Sequence, residues 1–185
     1  PQFHARHRAV APFHIAGNML FLWIFGDNLE EEMGRVGFLL FYLGSGLAAA
    51  ALQLAADPGS GAPMVGASGA VAGVMGGYLL FYPKARVDVL LIFIIFFRVF
   101  ALRAWTVLGL WFALQLFSGF STPTDGGGVA YWAHIGGFLA GLALALPVWL
   151  RRGGPGYWAR THGEPPHPEA RYPLAKTNIP RVGRR

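Results

Sequence analysis

The chain has 185 residues, of which 54% are hydrophobic and only 13% charged, with a net charge of +6. A water-soluble domain carries about 25% charged residues, so this composition excludes an ordinary soluble globule and places most of the chain in lipid. Residues 1–150 hold seven bases and seven acids, so the whole excess lies in residues 151–185, which describes a basic flank of a membrane segment rather than a nucleic-acid surface.

Residues 1–12 are polar, with His4, Arg6, His7 and Arg8, and read as the remnant of an exposed outer loop. The chain starts at Pro1 and is expected to be a fragment of a longer protein. Span one runs from about Phe13 to Phe25 and ends in GDNLEEEMGR, where Gly26 and Asn28 are helix punctuation. Span two covers about Phe38 to Ala56, and the turn cluster DPGSGAP leads to span three, about Met64 to Tyr82. Residues 88–103 are apolar and β-branched but too few for a span plus a turn, so an interfacial or re-entrant stretch is expected. Span four follows at about Ala104 to Phe120 and span five at about Val129 to Leu150. Membrane-spanning helices need ~20 residues. Residues 13–150 thus form one all-α membrane domain of about five spans. Arg35, the segment from Lys84 to Arg103, and Arg151 with Arg152 fall on one side, which is expected to be cytoplasmic. Residues 151–185, rich in Pro, Gly and Arg, are expected to be a disordered cytoplasmic tail.

Polar side chains in membrane spans are expensive and ask for a reason. At one matching depth stand His14 and Asn18 of span one, Ser68 of span three and His134 of span five. Ser68 lies near its helix start, where backbone N–H groups lack helical partners. In GASG it has glycine close on both sides, leaving room for a substrate carbonyl. Gly66, Gly69 and Gly73 on span three, and Gly137 and Gly141 on span five, let neighbouring helices approach closely. A serine and a histidine at matched depth suit a nucleophile and its general base. His14 and Asn18, four residues apart, share a helix face and suit stabilisation of an oxyanion. For each residue taken singly, a packing or helix-to-helix hydrogen-bonding role competes with the catalytic one. With no cysteine and no cofactor fingerprint, neither a metal nor a cofactor is expected.

Three stretches carry a resemblance. HIAGNMLFLWIFGDNLEEEMG resembles the HxxxN helix of rhomboid proteases, GASGAVAG their GxSG motif, and AHIGGFLAG their last core helix. The order and spacing agree over about residues 10–150. The resemblance implies a six-span helical core whose first span is missing here. It implies hydrolysis of peptide bonds in single-span membrane proteins, in a water-filled cavity open to the outer face. Ser68 would be the nucleophile and His134 the base, a dyad without an acid. His14, Asn18 and the Ser68 N–H would form the oxyanion hole, with Gly66 and Ala67 lining it. Glu30 resembles a structural acid at the inner helix end. Ala72 stands where some members carry a tyrosine that stacks on the histidine. The alternative is a rhomboid-like protein that binds transmembrane clients without cutting them. Partners are then single-span substrates and the bilayer. Arg outnumbers Lys 13 to 2, which points to GC-rich bacterial coding and a bacterial inner membrane.

Overall fold

The computed structural model describes residues 2–59, 67–93, 96–121 and 129–166. Helix α1 runs Gln2–Ala56 and is broken at Gly34, with φ 72° and ψ 161°. Only glycine enters that region at low cost, and the chain reverses there. The Phe38 ring comes back against Gly26, 3.2 Å from where a Cβ would stand. The two arms of α1 are the expected spans one and two. The first arm begins earlier than expected. Residues 2–12 continue the helix instead of forming a loop; the run from Ala5 to Ala11 holds good helix formers and no glycine or proline.

Helix α2 (Ser68–Phe81) is the centre of the bundle, buried from Gly69 through Tyr78. Its 14 residues reach about 21 Å, short of the ~30 Å of hydrocarbon. The expected start of span three, residues 64–66, lies outside the described residues. Phe25 of the first arm meets Tyr78 with ring centroids 4.9 Å apart, and the Tyr82 hydroxyl reaches the Glu32 carboxylate at 3.2 Å, so the first arm and α2 run parallel. The second arm is antiparallel to α2, with Phe41 against Gly77, Ser45 against Gly73 and Ala49 against Gly69.

Residues 86–103 add no span, as expected, and take a form that the sequence reading did not name. They form an antiparallel hairpin, β1 (Arg86–Phe93) and β2 (Phe96–Arg103), in register from Arg86↔Arg103 to Phe93↔Phe96. Valine, isoleucine and phenylalanine suit extended backbone, and cross-strand pairing satisfies inside the hairpin what a re-entrant loop would leave open. The chain returns to its departure point, since the Ala104 N–H donates to Ala85 O at 2.8 Å, so no span is added. Helices α3 (Ala104–Ser121) and α4 (Tyr131–Arg151) follow. Among the described residues three helices are long and apolar enough to cross a membrane, α1 within His14–Ala56, α3 and α4, and side chains such as Trp23, Leu47 and Phe120 point outward, over 70% exposed. The chain is a multi-pass, mostly helical membrane protein.

The segment after Arg151 is also corrected: it is folded as far as residue 166. Helix α5 (Pro155–Thr161) docks on the end of the bundle that carries Phe81 and Tyr82. The Tyr157 ring meets Phe81 edge-on at 5.4 Å, and Trp158 Nε1 donates to Leu80 O at 3.0 Å, satisfying a carbonyl that the end of α2 leaves open. The Lys84 N–H donates to Gly163 O at 2.9 Å. Two aromatic side chains thus anchor a sequence otherwise too polar to bury a core. Residues 167–185 lie outside the described residues.

The acid that ties this end together is Glu32, not Glu30. Its carboxylate accepts from Tyr157 Oη at 2.8 Å and Tyr82 Oη at 3.2 Å and pairs with Arg152 Nε at 3.1 Å. Burial pushes the Tyr157 phenol up to about 12, so it stays a donor. Glu30 faces Arg35 at 3.7 Å, with the arginine 94% exposed. Three consecutive glutamates point about 100° apart on a helix, and Glu32 is the one turned towards Tyr82, Tyr157 and Arg152.

Candidate active site

The site is set by how closely α2 and α4 approach. A Cβ on Gly137 would collide with the Gly69 carbonyl, and one on Gly141 with the Gly73 carbonyl. The four glycines anticipated as packing residues therefore form one parallel seam in which backbone meets backbone. The seam fixes the register of the two helices. Ser68 directly precedes Gly69, and His134 lies one turn before Gly137. A Cβ on Gly69 would stand 3.4 Å from Ala133 O, so the serine and the histidine are level on adjacent helices.

Ser68 is the first residue of α2, with Ala67 at the cap position and no side-chain cap. The first turn of a helix offers N–H groups that the helix itself cannot satisfy, directed at whatever lies beyond its start. The Val71 N–H returns to Ala67 O at 2.9 Å. Gly66 lies outside the described residues. Ser68 and His134 form no hydrogen bond with each other among the described residues. Instead His134 Nδ1 lies 2.9 Å from Gln115 Oε1 on α3, and the Trp111 ring lies 5.8 Å from the imidazole, tilted by 38°.

His14 and Asn18 sit on the first arm at the same end of the bundle. From the Phe25–Tyr78 contact, about 16 Å of helix leads back to His14 and about 15 Å to Ser68, with Asn18 about 5 Å deeper. His14 stands one turn before Asn18 on the same helix face. Its side chain is exposed and that of Asn18 half-buried.

Three polar residues here escaped the sequence reading. Gln115 touches His134 directly. Gln53 Oε1 accepts from the Ala133 N–H at 3.1 Å, capping the first turn of α4. Ser45 is fully buried against Gly73. Glutamines inside otherwise apolar spans were a visible signal. No groups of His, Asp and Glu suited to a metal ion occur among the described residues.

The fold and site define a class: a polytopic helical membrane protein in which a glycine seam holds a helix-start serine beside a histidine. Residues 10–151 match the family model for the Rhomboid domain, and the chain belongs to the rhomboid family. It is similar to Rhomboid-like protein 11, chloroplastic, of Arabidopsis thaliana, 34% identical over 141 residues that cover 74% of this chain and 47% of that one. It is also similar to Rhomboid protease GluP of Bacillus subtilis (strain 168), 32% identical over 134 residues covering 72% and 24%. Rhomboid protein 1, mitochondrial, of Saccharomyces cerevisiae is 34% identical over 79 residues, covering 40% and 23%. The chain thus spans less than half the length of these curated relatives. No solved structure matches it.

Proposed function

We propose that this chain is the catalytic membrane core of a serine-type endopeptidase that cuts membrane proteins in or near their transmembrane helices. The observation that carries this reading is the glycine seam, which sets the start of α2, with Ser68, level with His134 inside a membrane bundle. Membership of a family that includes a protein named as a protease supports it.

The chemistry uses only this chain's residues and water. Ser68 Oγ attacks the scissile carbonyl carbon while its proton passes to His134 Nε2. The carbonyl oxygen becomes an oxyanion, met by the Ser68 N–H and by the side chains of His14 and Asn18. The C–N bond breaks, and the proton on His134 goes to the leaving amine. Water then gives a proton to His134 and its oxygen to the acyl carbon; the bond to Ser68 Oγ breaks, His134 returns the proton to that oxygen, and the new carboxylic acid leaves and ionises in water. The substrate helix must unwind locally to present its carbonyl, so weak helix formers near the cut favour cleavage. The site opens towards the side away from Arg35 and Arg152, the outer face if those charges are cytoplasmic, as in a bacterial inner membrane.

The test uses the full-length protein in lipid vesicles with a fluorophosphonate probe and a single-span model substrate. Labelling and cleavage are expected, and both vanish in Ser68→Ala; His134→Ala loses cleavage. A wild-type protein that neither labels nor cuts would instead support a silent rhomboid-like client binder.

A further inference from the structure

We infer that Gln115 and Trp111 are positioning residues for His134, fixing its imidazole in one tautomer and one plane so that Nε2 is free to face Ser68. The inference deepens the dyad reading above and rests on it.

The hydrogen bond between Gln115 Oε1 and His134 Nδ1, 2.9 Å long, has a chemical consequence. An amide oxygen can only accept, so this contact is a hydrogen bond when Nδ1 carries the proton of the neutral ring. The proton cannot then reside on Nε2, whose lone pair is left as the acceptor for a serine hydroxyl. An acid does this in a three-residue arrangement and also stabilises the imidazolium by its charge. Glutamine supplies the orientation and the tautomer without the charge. That is the economical choice in lipid, where a carboxylate at this depth would be costly.

Trp111 holds the plane of the ring. It lies one turn before Gln115 on the same face of α3, and its ring centroid is 5.8 Å from that of His134. No ring is available from α2, because position 72 is an alanine, buried and only 1% exposed. The aromatic wall comes from α3 instead. The helix carrying both residues is itself fixed. Phe112 stacks on Phe138 at 4.5 Å and 19°, and Phe120 meets Trp132 edge-on at 5.0 Å. On the far side of α4, the Gln53 bond to the Ala133 N–H ties the turn that bears His134 to the second arm of α1. The imidazole is thus gripped through its ring by α3 and through its backbone by α1.

The test needs a readout that a merely structural role would not move. Full-length protein with 15N-labelled histidine is reconstituted in lipid, and the His134 signal is assigned by its loss in His134→Ala. Above the titration of the ring, wild type is expected to show a protonated Nδ1 and an unprotonated Nε2. Gln115→Leu is expected to mix the tautomers and to lower kcat about 10- to 100-fold, the size seen when a metal-bound histidine loses its outer partner, with KM unchanged. Gln115→Glu is expected to keep the tautomer and to move the acid limb of the activity profile to higher pH, because a carboxylate favours the imidazolium. Trp111→Phe is expected to restore most of what Trp111→Leu loses in kcat. A wild-type His134 protonated on Nε2, or a tautomer signal identical in wild type and Gln115→Leu, overturns the inference. So does an acid limb unmoved in Gln115→Glu. Failure of the dyad reading is seen separately, as fluorophosphonate labelling that survives in Ser68→Ala.

Discussion

Adding a single methyl group at Gly137 tests the seam most directly. The new Cβ would stand 2.8 Å from the carbonyl carbon of Gly69 and 3.3 Å from its Cα, and nearer still to its oxygen. These are backbone atoms, so nothing can swing aside. The helices would have to part by more than half an ångström to restore contact at 3.4 Å or more. Overpacking of this kind costs ~1–3 kcal/mol, and the backbone neighbour places Gly137→Ala at the upper end. Replacing a helical glycine by alanine returns ~1 kcal/mol, leaving a net loss of about 2 kcal/mol, or about 30-fold in the folding equilibrium. The parting also shifts Ser68 relative to His134, and a misplacement of about 1 Å can cost about 100-fold in rate. The assay pairs thermal unfolding in mild detergent with the rate of fluorophosphonate labelling. Gly109→Ala is the control, because nothing lies within 4 Å of its added Cβ; it should melt at or slightly above the wild-type temperature. If Gly137→Ala melted and labelled like wild type, the close seam would not be what sets the site.

Other consequences are as specific. Gly34→Ala forces a side chain into φ 72° and ψ 161° and should destabilise by ~1–3 kcal/mol, measured by unfolding. Glu32→Ala strips the acceptor from two tyrosine hydroxyls and frees the half-exposed Arg152 and should cost ~1–3 kcal/mol, whereas Glu30→Ala should stay within ~0.5 kcal/mol; equal effects would refute the assignment of the tying acid. The Tyr157 phenol, raised from 10.0 to about 12, contributes stability that is complete below pH 10 and lost as pH rises through about 12. Trp158 fluorescence should accordingly report release of α5 in that window, and no change there would contradict the docking. Gln53→Leu leaves the Ala133 N–H without its acceptor and should cost ~1 kcal/mol in the same unfolding assay.

What the sequence made legible was whatever depends on spacing within one helix. Glycines four apart at 69 and 73, and at 137 and 141, announce a close-packing face wherever the partner lies. Ser68 and His134 stood out because polar groups in apolar spans are few. What stayed hidden depends on the facing helix. Glu30, Glu31 and Glu32 are equivalent until Tyr82 and Tyr157 choose among them. Gln115 reads as an isolated polar residue until the antiparallel packing of α3 on α4 brings it to the imidazole. The hairpin at residues 86–103 lacks a turn signal such as Asn-Gly, and its strands resemble a membrane segment in composition. Helix α5 is too short to be stable alone; only its contacts with Phe81 and Leu80 make it a helix.

The shortness of α2 links these features to one another. Its C-terminal end is pinned at one end of the bundle by Trp158 on the Leu80 carbonyl and by Tyr82 in the Glu32 cluster. From there its ~21 Å cannot reach the far side of a ~30 Å hydrocarbon layer. The helix therefore falls about 9 Å short of a full crossing along its axis. A helix start in dry lipid would leave N–H groups unsatisfied at several kcal/mol each. The second arm of α1 runs on past the level of Gly69 to Ala56, while α3 ends and α4 begins near that level, at Ser121 and Tyr131, so helices flank the start of α2. In the proposed reading, water or a substrate carbonyl that reaches the start of α2 meets the serine, the free end of the helix and the imidazole together. The length of one helix thus supplies both the depth of the site and its need for a polar guest.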